Sequence, residues 1–162
     1  MVNAFMEWYV GVLKKYVVFT GRARRKEYWM FVLFNIIVII AIVIVEIFAD
    51  IQFGLLSWIY FAAVFLPNLA VSVRRLHDTN RSGWFIILYL IPLIGNIVSP
   101  IFLDIIKEAQ LTQLITEKVY LTILLSWLSF LIILLIMSII FLIFTVQEGT
   151  SGDNKYGPDP KA

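Results

Sequence analysis

The segment RRLHDTNRSGW, residues 74–84, gathers several side chains that could do chemistry. It contains three arginines, an aspartate and the only histidine of the chain. The adjacent His77 and Asp78 could act as an acid–base pair or help to hold a metal ion, and arginines bind phosphate through paired N–H groups. The same residue types also form the polar turn between two membrane helices. The choice between these interpretations depends on the elements that hold the segment.

The composition of the chain is that of a membrane protein. Of its 162 residues, 61% are hydrophobic and 15% are charged, whereas soluble domains are about 45–50% apolar and about 25% charged. A soluble core of this length could not hide so much apolar surface, so the excess must face lipid. The chain has no cysteine and one histidine, which excludes thiolate chemistry and any multi-histidine metal site. We therefore expect no metal and no cofactor.

Four apolar stretches have the length of membrane spans. Crossing the hydrocarbon layer takes roughly 20 helical residues, and the predicted spans are residues 30–49, 54–73, 84–103 and 121–146. Lipid offers no hydrogen-bond partner to peptide groups, so these stretches should be helices. The predicted fold is therefore an all-α polytopic membrane protein with four transmembrane helices in one domain, residues 1–162.

A fifth helix is predicted before the first span. Its apolar residues recur at helical spacing, which is typical of an amphipathic helix lying in the membrane interface. They are Phe5, Trp8, Tyr9, Val12, Leu13 and Tyr16. Residues 104–120 should form an outer loop with a short surface helix, and residues 147–162 a turn-rich tail.

The distribution of basic residues predicts the orientation. With four spans, eleven lysines and arginines lie on the side of the two termini, and only Lys107 and Lys118 on the other. The positive-inside rule then places both termini in the cytoplasm. A competing topology bends residues 84–103 into a hairpin at residues 92–95, which would leave residues 104–120 inside.

Three segments resemble a known family. They are FTGRARRKEYWMFVLFN at 19–35, LPNLAVSVRRLHDTNRSGWFIILYLIPLIG at 66–95 and EGTSGDNKYGPDPK at 148–161. Together they look like the domain of unknown function 805 family (the YhaH/YhaI type) of small bacterial inner-membrane proteins. The resemblance implies a multi-pass protein of the cytoplasmic membrane and implies no activity. In typical members IPLIG continues through a short apolar segment into the tail, whereas here a longer segment intervenes.

The four-span topology would bring these three segments to one cytoplasmic rim. The candidate anion-binding residues of that rim are Arg22, Arg24, Arg25, Arg74, Arg75 and Arg81, with His77, Asp78 and Asp153 as secondary polar groups. The arginines could serve only to orient and anchor the protein, or they could bind a phospholipid headgroup or another phosphorylated ligand. Nucleic-acid binding is not expected, because no basic module with stacking residues is visible.

The histidine is not expected to be catalytic. Neighbours on a helix point about 100° apart, so His77 and Asp78 do not face one another, and no partner nucleophile is evident. Asp78 and Ser82 instead suit turn and cap hydrogen bonds. Glu27 and Glu148 are expected to form weak, solvated ion pairs.

The functional prediction is a non-enzymatic integral membrane protein that interacts with other molecules or senses anionic lipids. Its partners would be membrane lipids, with a homo-oligomer or other membrane proteins left open. One alternative is a small oligomeric transporter or channel subunit, although Glu46, the only acidic residue within a span, lies near the outer end, where it should reach water. Another is a membrane enzyme acting on a phosphorylated or lipid substrate.

Overall fold

The computed structural model describes residues 2–51, 54–111 and 116–161, and within these ranges the regular secondary structure is helical. The helices are α1 (Val2–Lys14), α2 (Arg25–Phe48), α3 (Leu55–Asp78), α4 (Ile87–Leu111), which follows a 3-10 turn at Gly83–Ile86, and α5 (Glu117–Val146). Four of them, counting α4 with its leading turn, are long and apolar enough to cross a membrane. The predicted all-α fold with four spanning helices is confirmed.

The third span is one helix rather than a bent hairpin. Helix α4 continues through Pro92 and Pro100 and ends only at Leu111. Good helix formers after residue 103 and an ion pair of 3.7 Å between Lys107 Nζ and Asp104 Oδ1 favour this extension. Of the residues 104–120 predicted to form the outer loop, 104–111 therefore belong to α4 and 117–120 to α5, and residues 112–115 lie outside the described part of the chain.

The chain divides into two compact units. An N-terminal unit comprises residues 1–84 together with 144–162, and an α4–α5 unit comprises residues 85–143. In the α4–α5 unit a Cβ at Gly95 would collide with the Leu134 side chain, so glycine permits the close approach of the two helices there. Beside this contact the helices line an apolar groove of about 600 Å³. All candidate site residues belong to the N-terminal unit.

Helix α1 packs against α2 and α3. The Tyr9 ring lies 5.3 Å from the Phe31 ring between centroids, and its hydroxyl is 3.2 Å from that of Tyr60. Tyr60 in turn donates to Asn35 Oδ1 at 2.6 Å, and Val12 is fully buried. The predicted amphipathic helix is present, but part of its aromatic face contacts protein rather than the membrane interface. The Phe5 side chain lies outside the described part of the structure.

The expectation that Glu46 reaches water is wrong, because the residue is buried. The residue is 1% exposed. Its carboxylate accepts hydrogen bonds from the backbone N–H and the hydroxyl of Ser57, both at 3.0 Å, and from the backbone N–H of Gly54 at 3.2 Å. The first N–H groups of a helix have no partner within it, and the N-cap of α3 is Gly54, which has no side chain. Glu46 therefore supplies the missing cap from α2.

Candidate functional site: a buried arginine cluster and an open basic cleft

The N-terminal unit brings the three family-like segments into direct contact. The N–H of Ala23 donates to the carbonyl of Arg74 at 3.0 Å, and the N–H of Thr150 donates to the carbonyl of Asp78 at 2.9 Å. The segment before α2 and the tail after α5 thus both attach to the end of α3. The six candidate arginines, His77, Asp78 and Asp153 all lie in these three segments.

Asp78 is the centre of a buried charge cluster. Its Oδ1 lies 3.0 Å from both Nε and Nη2 of Arg22, and its Oδ2 lies 2.5 Å from Nη1 of Arg75. The exposed fractions of the three side chains are 3% or less. One carboxylate therefore neutralises one of two buried guanidinium charges, and the remaining donors need uncharged acceptors.

Backbone carbonyls of the tail supply these acceptors. Arg22 donates to the carbonyls of Thr150 at 2.5 Å and Gly152 at 2.6 Å. Arg75 donates to the carbonyl of Thr145 at 3.0 Å and to that of Gln147. Planar guanidinium groups satisfy several such acceptors at fixed angles, so the two arginines tie the tail to the helix ends.

Gly149 allows the tail to approach the cluster. A Cβ at this position would collide with the Asp78 carboxylate. On the C-terminal side the Thr150 hydroxyl donates to the Asp78 carbonyl at 3.2 Å, and Asn154 Nδ2 donates to the His77 carbonyl at 3.0 Å. The glycine in the GTSG motif is thus required by a close backbone approach.

The His77 ring is used for packing. It stacks on the Tyr156 ring at 3.8 Å between centroids and 6° between planes. Its Nδ1 lies 3.1 Å from the carbonyl of Gly21, and since a carbonyl only accepts, Nδ1 carries the proton. Among the described residues, no cluster of three or more His, Asp and Glu side chains is placed to hold a metal ion.

Asp153, the last of the predicted polar groups, lies exposed on the tail. Its carboxylate accepts a hydrogen bond from the backbone N–H of Asp159 at 3.3 Å. Asp159 itself accepts from the N–H groups of Lys161 and Gly152, which hold the pKa of its carboxyl below the ordinary value. These contacts fold the tail on itself, and Asp153 is not part of the buried cluster.

A second buried pair joins the ends of α2 and α3. Glu27 Oε1 lies 2.8 Å from Nη1 of Arg74, and the side chains are 11% and 1% exposed. Nε and Nη2 of Arg74 are buried without a hydrogen-bond partner among the described residues. The expectation that Glu27 forms a weak, solvated pair is wrong, because antiparallel packing places the first turn of α2 beside the last turn of α3.

Four other basic residues line an open cleft. We call it the basic cleft; its volume is about 240 Å³ and its cations are Arg24, Arg25, Lys26 and Lys161, with Trp8, Asp78, Glu148 and Gly149 completing the lining. Lys26 Nζ lies 5.7 Å from the centroid of the Trp8 ring. Arg24 Nε donates to the carbonyl of Pro160, while Arg25 and Lys161 both contact the exposed Glu148, as expected for that residue.

The six predicted arginines therefore separate into three environments. Arg22, Arg74 and Arg75 are buried and paired, and Arg24 and Arg25 line the basic cleft. Arg81 lies apart, with its guanidinium carbon 4.0 Å from the centroid of the Phe144 ring. The sequence did not predict Trp8, Lys26 and Lys161 as residues of the site. Lys26 directly follows Arg24 and Arg25 in GRARRKEYW, so its position in the sequence could have indicated that it belongs to the same site.

Four apolar helices, one of them followed by a tail tied to buried charges, define a small polytopic all-α membrane protein. Within that class the chain belongs to the DUF805 family, whose sequence model, described as a protein of unknown function, matches residues 16–113. This confirms the resemblance found in the sequence.

Two relatives show how far the likeness extends. The chain is 40% identical over 156 residues to the inner membrane protein YhaI of Escherichia coli strain K12, covering 96% of this chain and 97% of the relative. It is 40% identical over 160 residues to the inner membrane protein YhaH of the same strain, covering 96% and 98%. No solved structure matches it. Neither the family description nor these names state an enzymatic activity.

Proposed function

We propose that this chain is a non-enzymatic protein of the bacterial inner membrane that binds anionic lipid headgroups in its basic cleft. The observation that carries the proposal is the separation of the charges. Buried acids and tail carbonyls occupy Arg22, Arg74 and Arg75, whereas four cations remain in an open cleft against one exposed carboxylate. The binding site is therefore the cleft, and the buried arginines hold the segments that form it.

The chemistry of the cleft suits a phosphate group at the membrane surface. Guanidinium and ammonium groups bind phosphate oxygens by charge-assisted hydrogen bonds, and each basic residue near an anionic surface contributes about 1 kcal/mol. Trp8 adds an amphipathic ring of the kind enriched at headgroup level. The engagement of the His77 ring in packing supports a role that is not enzymatic.

Replacing Arg25 and Lys26 by alanine together should weaken the binding of a soluble short-chain phosphatidylglycerol about 30-fold. The estimate follows from about 1 kcal/mol for each exposed basic group. Calorimetric titration of the detergent-solubilised protein measures the dissociation constant. The matched control is Lys107→Ala/Lys118→Ala, which removes the same charge from residues that do not line the cleft. Equal weakening in both variants, or equal binding of short-chain phosphatidylcholine by the unaltered protein, would disprove the proposal.

We also propose that both termini are cytoplasmic, since eleven of the thirteen lysines and arginines then lie on that side. The chain has no cysteine, so single cysteines can report accessibility. Leu111→Cys, at a side chain that is 79% exposed, should react with a membrane-impermeant maleimide in intact spheroplasts. Ser151→Cys should react only after permeabilisation. The reverse labelling pattern would contradict this orientation.

A further inference from the structure

Glu148 lies within the basic cleft as a carboxylate of the protein itself. Its Oε1 is 3.2 Å from Nη2 of Arg25, and its Oε2 is 3.6 Å from Nζ of Lys161. Each oxygen thus contacts a different cation. Two oxygens of a phosphate group could bridge the same two cations, so Glu148 holds the place that an anionic ligand would take.

The backbone on both sides of Glu148 is fixed. The carbonyl of Gln147 accepts from Arg75, Gly149 lies against the Asp78 carboxylate, and Thr150 donates to the Asp78 carbonyl at 2.9 Å. The tail therefore carries the carboxylate into the cleft at a high effective concentration. Only the side chain is free to leave.

The contacts of the carboxylate itself are weak. The exposed fractions of the Arg25, Glu148 and Lys161 side chains are 50%, 68% and 55%, and ion pairs in such positions are solvated and screened by salt. A phosphate that forms charge-assisted hydrogen bonds to the same cations can replace them. Because its backbone is fixed and its side-chain contacts are weak, Glu148 can act as a counter-ion that a ligand displaces.

We propose that Glu148 is an internal competitor of the basic cleft, which an anionic headgroup displaces by moving the side chain while the tail stays attached. The inference rests on the proposed function, since it assumes that the cleft binds anions. It assigns a regulatory role to Glu148: the carboxylate sets the threshold concentration of anionic lipid at which the cleft is occupied. Each of the residues involved belongs to the N-terminal unit.

Glu148→Gln should bind short-chain phosphatidylglycerol about fivefold more tightly than the unaltered protein, because the loss of two exposed pairs removes a modest competition. The matched control is Asp153→Asn, which removes an exposed tail carboxylate that does not line the cleft. It should leave the dissociation constant unchanged. Binding by Glu148→Gln alone, with none by the unaltered protein, would also support the competition.

Hydrogen–deuterium exchange tests whether the tail stays attached when the lipid displaces the Glu148 side chain. The Thr150 amide, which donates to Asp78, should keep its protection when phosphatidylglycerol is bound. Loss of that protection would mean that the whole tail leaves, and would overturn the displacement of the side chain alone. Equal affinity of Glu148→Gln and the unaltered protein for phosphatidylglycerol would overturn the competition while leaving the proposed function intact. Absence of binding in both proteins would instead disprove the proposed function.

Discussion

Replacing Asp78 by asparagine should lower the free energy of unfolding by about 3–5 kcal/mol and release the tail. The substitution removes the one carboxylate that is paired with both Arg22 and Arg75, which are buried. The side-chain volume hardly changes, so the cost is electrostatic. Two buried guanidinium charges would then be balanced only by carbonyl dipoles, and water would have to enter to solvate them.

The effect of Asp78→Asn can be measured by reversible unfolding in mixed detergent micelles and by amide exchange of residues 145–157. Exchange should accelerate at Thr150, whose N–H is bonded to the Asp78 carbonyl. Asp153→Asn is the matched control, because it makes the same chemical change at an exposed tail position. Should the two variants unfold within about 0.5 kcal/mol of one another, the range expected for surface changes, the central role of Asp78 would be refuted.

Replacing Glu27 by leucine should also cost about 3–5 kcal/mol, because it leaves Arg74 buried without a counter-charge. The double variant Glu27→Leu/Arg74→Met should recover most of that loss. Two nitrogen atoms of Arg74 already have no hydrogen-bond partner among the described residues, so the pair carries a large desolvation penalty. Apolar replacement of a buried pair is often neutral or stabilising.

A double-mutant cycle with the single variants Glu27→Leu and Arg74→Met gives the interaction energy of the pair. Glu7→Leu controls for the added apolar surface, because Glu7 is exposed on α1 and should be nearly neutral. A double variant that remains as unstable as Glu27→Leu alone would show that Arg74 is stabilised by something other than Glu27.

The four spans and the proximity of the three polar segments could be predicted from the amino-acid sequence. Apolar runs of span length are a strong signal because lipid imposes one secondary structure on them. The four-span topology places residues 19–35, 66–95 and 148–161 on one side of the membrane, and the structure joins these segments at Ala23–Arg74 and Thr150–Asp78. The prediction depended on length and order and needed no knowledge of side-chain packing.

The burial of individual charges could not be predicted in the same way. Arg22 and Arg25 lie in the same short basic run, yet the Arg22 side chain is 2% exposed and that of Arg25 is 50% exposed. The difference comes from Asp78, which is 56 positions away from Arg22, and from the path of the tail. The burial of Glu46 could not be predicted for a related reason, since its partners are the N–H groups and a hydroxyl at the start of another helix.

The ties between Arg22, Arg75 and the tail impose an order on biosynthesis. The chain is synthesised from its N-terminus, so Arg22 leaves the ribosome well before Thr150 and Gly152, whose carbonyls lie 128 and 130 positions later. Until these carbonyls are available, water must satisfy the same Arg22 donors. Closure of the charge cluster therefore requires that residues 145–152 have been synthesised, and a chain cut before them would lack the carbonyl partners of both arginines.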